Sequence, residues 1–266
     1  MIALRSTPEI DAIARAGAII GRLHDTLHER VRPGVSTQDL DEFGDEFIRS
    51  HTGAVPAFKG LYGFPASLCI SINEEVVHGI PSPKRVLAEG DIVTVDAGVE
   101  LDGWFADAAY TYGVGQIDDE ADRLLRVTRE ALDAGIAAAK PGNRLGDIGH
   151  AVQTVAEGAG FSVVRDLVGH GIGRDPHEEP QVPNYGKPGR GLTLQPGLVI
   201  AIEPMVNAGQ VAVRTLADKW TVVSADGSRS AHFEQTVAVT EKGSPFLLEF
   251  VVKEGHDFSR YNLPGL

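Results

Sequence analysis

Apolar residues recur at helical spacing in two stretches near the start of the chain. Ile10, Ile13, Gly17, Ile20, Leu23 and Leu27 fall on one face of a 3.6-residue repeat. Thr7-Pro8 supplies an N-cap and a first helical residue, and Pro33-Gly34 stops the run. Ser36 or Thr37 caps a second predicted helix, with Leu40, Phe43 and Phe47 inward. The pattern then returns. Residues 118–139 put Leu124, Val127, Ala131 and Ile136 inward, Pro141-Gly142 stops them, and residues 145–158 repeat the second helix. Elsewhere the pattern shortens to apolar runs of strand length at 68–72, 92–98, 104–112, 163–168, 198–203, 211–215, 220–224 and 233–240. Helices grouped ahead of strands, twice over, predict an α+β fold with helices covering one face of a curved antiparallel sheet.

The repetition reaches individual residues. Leu87-Ala-Glu-Gly90-Asp-Ile-Val-Thr-Val-Asp96 matches Leu194-Gln-Pro-Gly197-Leu-Val-Ile-Ala-Ile-Glu203. Gly90 aligns with Gly197 and Asp96 with Glu203, both at an offset of 107. Upstream, Arg32-Pro33-Gly34 with Asp39-Leu40 is echoed by Lys140-Pro141-Gly142 with Asp147-Ile148, at an offset of 108. Each copy is a glycine turn, an apolar strand and a carboxylate at the strand end. Two half-repeats, about 1–113 and 114–250, would bring those ends together about a pseudo-twofold axis. They form one predicted domain over 1–266, with a C-terminal tail at 251–266. Two carboxylates meeting inside a core need a cation.

Composition removes several function classes. A length of 266 residues with 42% hydrophobic content suits one large domain or two intimately packed halves. A formal charge of −13 argues against a nucleic-acid or anionic-membrane partner. Cys69 is the one cysteine, so no internal disulfide can form, which favours a reducing compartment. Pro8, Glu9 and Asp11 interrupt the start of the chain, so no signal peptide is expected. No run reaches the roughly 18 apolar residues of a membrane helix. These features predict a cytoplasmic protein.

Residues 91–112 read as a hairpin with Asp102-Gly103 as a type I′ turn. In that register Gly98 faces Asp107 and Asp96 faces Ala109, so both aspartates point from one sheet face as diagonal neighbours. Each acid lies between apolar residues, and Glu203 (Ile202-Glu203-Pro204) and Glu234 (Phe233-Glu234-Gln235) sit in similar surroundings. His170 sits in Gly169-His170-Gly171-Ile172-Gly173, whose glycines permit tight backbone and close approach to a ligand. Singly, each residue fits an ordinary structural role. Together, four carboxylates and one imidazole can hold a pair of divalent ions about 3.5–4 Å apart. Mostly oxygen ligation with one His points to Mn, Fe, Co or Zn in a catalytic site.

Asp96, Asp107, the His170 glycine loop, Glu203-Pro204 and Glu234 resemble the five-ligand signature of the pita-bread metallopeptidases. Within that group the chain resembles the type I methionine aminopeptidases over essentially its whole length. The resemblance is carried by Cys69-Ile-Ser-Ile-Asn73-Glu-Glu-Val-Val-His78-Gly-Ile-Pro81, by Arg174-Asp-Pro-His177-Glu-Glu-Pro180 and by Lys219-Trp220-Thr-Val. No domain precedes these motifs in the sequence, which argues against prolidase, creatinase and aminopeptidase P, relatives expected to carry one. Absence of a long insertion before the final strands sets it apart from the type II enzymes.

The resemblance implies a pita-bread fold and roles for named residues. Asp96, Asp107, His170, Glu203 and Glu234 would bind two metals that activate a water. Glu203 would also shuttle a proton to the departing amine. His177 would hydrogen-bond the scissile carbonyl and His78 the peptide nitrogen. Phe58, Leu61, Phe64, Cys69 and Trp220 would line an apolar methionine pocket. Phe58 stands where a cysteine is common, Leu61 and Phe64 where tyrosines are, Pro176 where an aromatic is usual and Gln235 where His is frequent. These departures touch the pocket and its surroundings, not the five ligands. Asn73 and Ser230 match positions that help bind a monovalent cation. The implied activity is removal of initiator methionine from nascent polypeptides when the second residue is small. The implied protein is a monomer in transient contact with the ribosome. Two alternatives are a pita-bread aminopeptidase of other N-terminal specificity and a non-catalytic pita-bread binding protein. Binding-only relatives have lost ligands, whereas all five are present here.

Overall fold

The structure is a computed structural model that describes residues 2–241 and the strand at 246–247. The tail expected at 251–266 and the last residues of the second half-repeat lie outside the described residues. Helix α1 spans Thr7–Arg30 and is capped by Ser6, one residue earlier than Thr7-Pro8 predicts. The Glu9 carboxylate accepts from the Ser6 N–H at 2.8 Å and the Ser6 hydroxyl at 2.7 Å. That pair of contacts to one carboxylate fixes the start, and Pro8 still falls in the first turn, where its missing N–H costs no hydrogen bond. Ile13, Ile20, Leu23 and Leu27 are fully buried, each contributing about 1.5–3 kcal/mol of apolar transfer. Helix α2 (Thr37–Arg49) is capped by the Ser36 hydroxyl, which accepts from Asp39 N–H at 3.1 Å.

Strands β1 (Ala54–Pro56), β2 (Cys69–Ile72), β3 (Glu75–Val77), β4 (Ile92–Leu101) and β5 (Trp104–Gly113) follow. Helices α3 (Asp119–Ala138) and α4 (Leu145–Gly158) open the second half. Then come β6 (Ser162–Val163), β7 (Gly169–Gly171), β8 (Glu178–Val182), β9 (Val199–Ile202) and β10 (Met205–Asn207). The series ends with β11 (Val213–Thr215), β12 (Val222–Ser224), β13 (Ser230–His232), β14 (Gln235–Ala238) and β15 (Phe246–Leu247). Among the described residues, all ladders are antiparallel and form four sheets. In one of them β5 runs along the whole of β4, while β1 and β2 share the other edge of β4. The predicted strand at 163–168 ends at Val163. Its later apolar residues Leu167 and Val168 line a cavity instead of a sheet, which explains the misleading run.

Two large buried clusters form most of the core among the described residues. One packs α1 and α2 on β4 and β5, and the other packs α3 and α4 on β9 and β14. The local contacts of the two halves correspond. Gly34 N–H donates to Leu87 O at 2.8 Å and Gly142 N–H to Leu194 O at 3.0 Å. Bridges join Ser36 to Val86 and Arg144 to Thr193. Gly90 and Gly197 both adopt the left-handed region, at φ 90 and 91, which favours glycine.

The halves are stitched at β5. Glu234 N–H donates to Ala109 O at 2.9 Å. The Thr236 hydroxyl donates to Asp107 O at 2.8 Å and accepts from Asp107 N–H at 3.1 Å. Thr111 does the same with the His232 backbone, at 2.8 and 2.9 Å. Acids from both halves are thereby drawn to one place.

Candidate active site and metal centre

The β4–β5 hairpin turns at Asp102 (φ 53) and Gly103 (φ 77), and its ladder sets Asp96 opposite Ala109 and Asp107 opposite Gly98. Glu203 follows the end of β9, held by the Asn184 side-chain amide donating to its carbonyl at 2.9 Å. Glu234 lies between β13 and β14, and His170 is the middle residue of β7. All five line one cavity of about 400 Å³.

Ligand-capable atoms come together in three overlapping sets, each within 4.8 Å: Asp96, Asp107 and Glu234; His170, Glu203 and Glu234; and Asp107, His170 and His177. His170 Nε2 is 3.4 Å from Glu203, 3.9 Å from Asp107 and 4.0 Å from Glu234. His170 Nδ1 is 3.0 Å from the Gly171 carbonyl, which can only accept, so Nδ1 carries the proton. Burial holds the His170 pKa down to about 4, so the ring is neutral. Its Nε2 lone pair therefore faces three carboxylates, an arrangement that repels unless a cation lies between.

The acids fit the same reading. Burial, before any other cause, pushes Asp96 up to about 7. Burial and then neighbouring carboxylates push Asp107, Glu203 and Glu234 well above their ordinary range. Asp96 Oδ1, Asp107 Oδ1 and Glu234 Oε1 are buried without a hydrogen-bond partner. Among the described residues, no lysine or arginine pairs with any of the four. Buried, orphaned carboxylate oxygens around a neutral imidazole suit divalent cations and little else.

The other expected site residues share the cavity. Phe58, Phe64 and Cys69 are buried in a small apolar cluster against which Leu61 and Trp220 pack. Phe64 and Trp220 meet edge to face at 5.1 Å between ring centroids. Cys69 pairs with Asp96 across the β2–β4 ladder, so the apolar pocket abuts the acids. His78 packs edge-on against Trp220 at 6.3 Å. Its backbone is left-handed (φ 59), which costs roughly 1–3 kcal/mol. His177 packs edge-on against His170 at 4.5 Å. Burial lowers the pKa of both His78 and His177, so both are neutral at neutral pH. Asn73 and Ser230 also meet, with Ser230 N–H donating to Asn73 O at 2.8 Å. The Asn73 amide is occupied, donating to Asp91 at 2.8 Å and accepting from Ile92 N–H at 3.0 Å.

The glycines around His170 also allow close approach of neighbouring backbone. A Cβ on Gly169 would meet Ala201 O at 2.3 Å, and one on Gly171 would meet Glu179 O at 2.3 Å.

Of the cavity residues that escape the sequence reading, two carry aromatic rings with polar atoms. Tyr62 is 76% exposed, left-handed (φ 50), and stacked on His177 at 6.1 Å. Its flanking glycines, Gly60 and Gly63, are the available signal. His232 is 2% exposed, with neither ring nitrogen partnered. It lies two residues before Glu234, and strand alternation could have placed it on the same face.

Comparison with known proteins agrees with this chemistry. The sequence profile of metallopeptidase family M24 matches residues 11–241. The chain is 55% identical to methionine aminopeptidase of Clostridium perfringens, over 93% of this chain and 98% of that one. It is 51% identical to methionine aminopeptidase 1 of Bacillus subtilis, over 93% of this chain and 99% of that one. The crystal structure of methionine aminopeptidase from Thermotoga maritima superposes with a TM-score of 0.92 at 44% identity, covering 94% of this chain and 100% of that one.

Proposed function

The chain belongs to metallopeptidase family M24, and from that premise we propose that it is a type I methionine aminopeptidase. It is a metal-dependent hydrolase that removes N-terminal methionine from polypeptides whose second residue is small. The observation that carries this is one cavity in which an apolar pocket abuts four clustered acids, three of them with an unpartnered buried oxygen, and a neutral imidazole. The halves at about 1–113 and 114–250 work as one catalytic unit, since each supplies acids to that cavity.

Asp96, Asp107, His170, Glu203 and Glu234 would hold two divalent ions of Co, Mn, Fe or Zn. Such ions, when bound, supply Lewis acidity that lowers the pKa of water and polarises a carbonyl. Glu203, whose carboxylate lies 3.4 Å from His170 Nε2, takes up a proton and delivers it to the departing amine. His177 donates to the scissile carbonyl oxygen, and His78 to the peptide nitrogen. Both rings are neutral donors, so neither adds charge to the site. Phe58, Leu61, Phe64, Cys69 and Trp220 take the methionine side chain. A large second side chain would meet the walls beside the acids, which excludes it.

A monovalent cation beside Asn73 and Ser230, a monomeric state, and nascent chains met in transient contact with the ribosome complete the reading. So does a cytoplasmic setting; among the described residues no helix is long and apolar enough to cross a membrane. The test is cleavage of an N-terminal peptide library after chelation and re-addition of single metals. Release of methionine ahead of small second residues is expected. Metal-independent cleavage, or preference for another first residue, would overturn the proposal.

A further inference from the structure

We propose that Arg5, in the segment ahead of α1, is a positioning residue for His177; the inference rests on the role just given to His177. The His177 side chain has no hydrogen bond of its own among those described, and it touches His170 and Tyr62 only through ring faces and edges. Its placement therefore depends on the backbone of the turn that carries it. Glu178, the next residue, closes that turn from within. Its Oε1 accepts the N–H of Arg174 at 2.7 Å and of Asp175 at 3.1 Å.

A carboxylate that organises two amides is fixed only if its charge is held in place. Arg5 holds it. Arg5 Nη2 donates to Glu178 Oε1 at 2.6 Å and contacts Oε2 as well, and the two side chains are only 11% and 17% exposed. Arg5 is itself anchored from three sides. Its N–H donates to Gly197 O at 2.7 Å, in the turn that leads into β9 and Glu203. Its guanidinium lies 5.4 Å from the Trp104 ring, which Arg174 covers at 3.7 Å. It also packs so closely on Gly173 that a Cβ there would sit 2.5 Å from the guanidinium. The hairpin tip completes the frame, with Phe105 N–H donating to Gly173 O at 2.9 Å. A segment remote in sequence thus locks the turn that presents His177 to the cavity, and a shift of about 1 Å there can cost on the order of a hundredfold in rate.

The test compares Arg5→Ala, Arg5→Lys and Glu178→Gln with the full-length wild type. Kinetics would be measured on a Met-Ala peptide, together with bound metal and amide hydrogen exchange at Arg174 and Asp175. Arg5→Ala is expected to lower kcat by roughly ten- to a hundredfold, with KM and metal content near wild type and faster exchange at both amides. One nitrogen contacts both carboxylate oxygens, so the Lys ammonium should restore kcat to within a few fold. Glu178→Gln keeps an acceptor for the two amides but not the charge, and should reproduce the Arg5→Ala loss even if that variant folds poorly. Unchanged kcat and exchange in Arg5→Ala, or a loss that tracks metal content, would overturn the role of Arg5 alone. A wild type that fails to cleave Met-Ala would overturn the proposed function, while exchange at the two amides still reports whether the clamp exists.

Discussion

Asp96 and Asp107 rise from adjacent strands in diagonal register, Asp96 opposite Ala109 and Asp107 opposite Gly98, and enter one cavity. Among the described residues neither pairs with a lysine or arginine, and each keeps an unpartnered buried oxygen. Asp107 belongs to two of the three ligand-capable sets and His170 to two. Removing either should dismantle the metal centre. Asp107→Ala and His170→Ala are expected to lose turnover and bound metal while keeping the wild-type circular dichroism spectrum. Near-wild-type activity in either variant, after chelation and metal re-addition, would end the dinuclear assignment.

Metal removal should reverse the dependence of stability on pH. In the metal-free chain, burial raises Asp96 from its ordinary 3.8 to about 7. A carboxyl raised in the fold keeps a proton that the unfolded chain has released. Its stabilisation is full below about pH 4 and is lost as pH rises through about 7. Asp107, Glu203 and Glu234 are raised too and act in the same direction. The Tm of the chelated protein should therefore fall across this window. With saturating divalent ion the ligands are ionised, so binding and Tm should rise with pH. Parallel melting curves of the two forms check this, and identical pH profiles would refute it.

The fold is most legible where local chemistry leaves one solution. Asp102-Gly103 fixes the hairpin loop, the loop fixes the register, and the register sets both aspartates on one face. The helix pairs are equally plain because apolar stripes and Pro-Gly stops agree. The duplication shows in Gly90 and Gly197 because both turns need a positive φ. Strands β1, β3, β7, β10 and β13 escape because three residues are too few to show a period, and β8 because Glu178, Glu179 and Pro180 give it no apolar run. Leu167 and Val168 mislead because a cavity wall is as apolar as a strand. Tyr62 and His232 are brought to the cavity by tertiary structure, and the local signals, glycines beside Tyr62 and alternation from Glu234 for His232, do not point there by themselves.

The glycines beside His170 make a separate prediction. Gly171 pairs with Ile200 of β9 and, through the irregular β7–β8 ladder, with Glu178. A Cβ there would approach the Glu179 carbonyl to 2.3 Å, and that atom is backbone that cannot swing aside. Gly171→Ala should therefore cost roughly 1–3 kcal/mol of stability and displace His170 from the acids. Urea unfolding and metal content would be measured together. Unchanged stability with full metal loading would show that β7 tolerates a side chain at this point.

His177 separates binding from chemistry. Its ring lies 4.5 Å from that of His170, and a nitrogen comes within ligand range of Asp107 and His170, so geometry alone admits it as a ligand. The proposed role is different: a neutral donor to the scissile carbonyl, set at the cavity edge beside Tyr62. On that role His177→Ala keeps both ions and lowers kcat by roughly 10²–10³, the usual loss for one oxyanion donor. Preference for methionine changes little, because that contact belongs to Phe64 and Trp220, which pack edge to face at 5.1 Å. Trp220→Ala should do the reverse, opening the pocket and relaxing first-residue preference more than it slows the chemical step. Metal content and kinetics on Met-Ala and Leu-Ala peptides would be measured for both variants. Loss of metal from His177→Ala would make His177 a ligand, and an unchanged kcat would remove it from the oxyanion role.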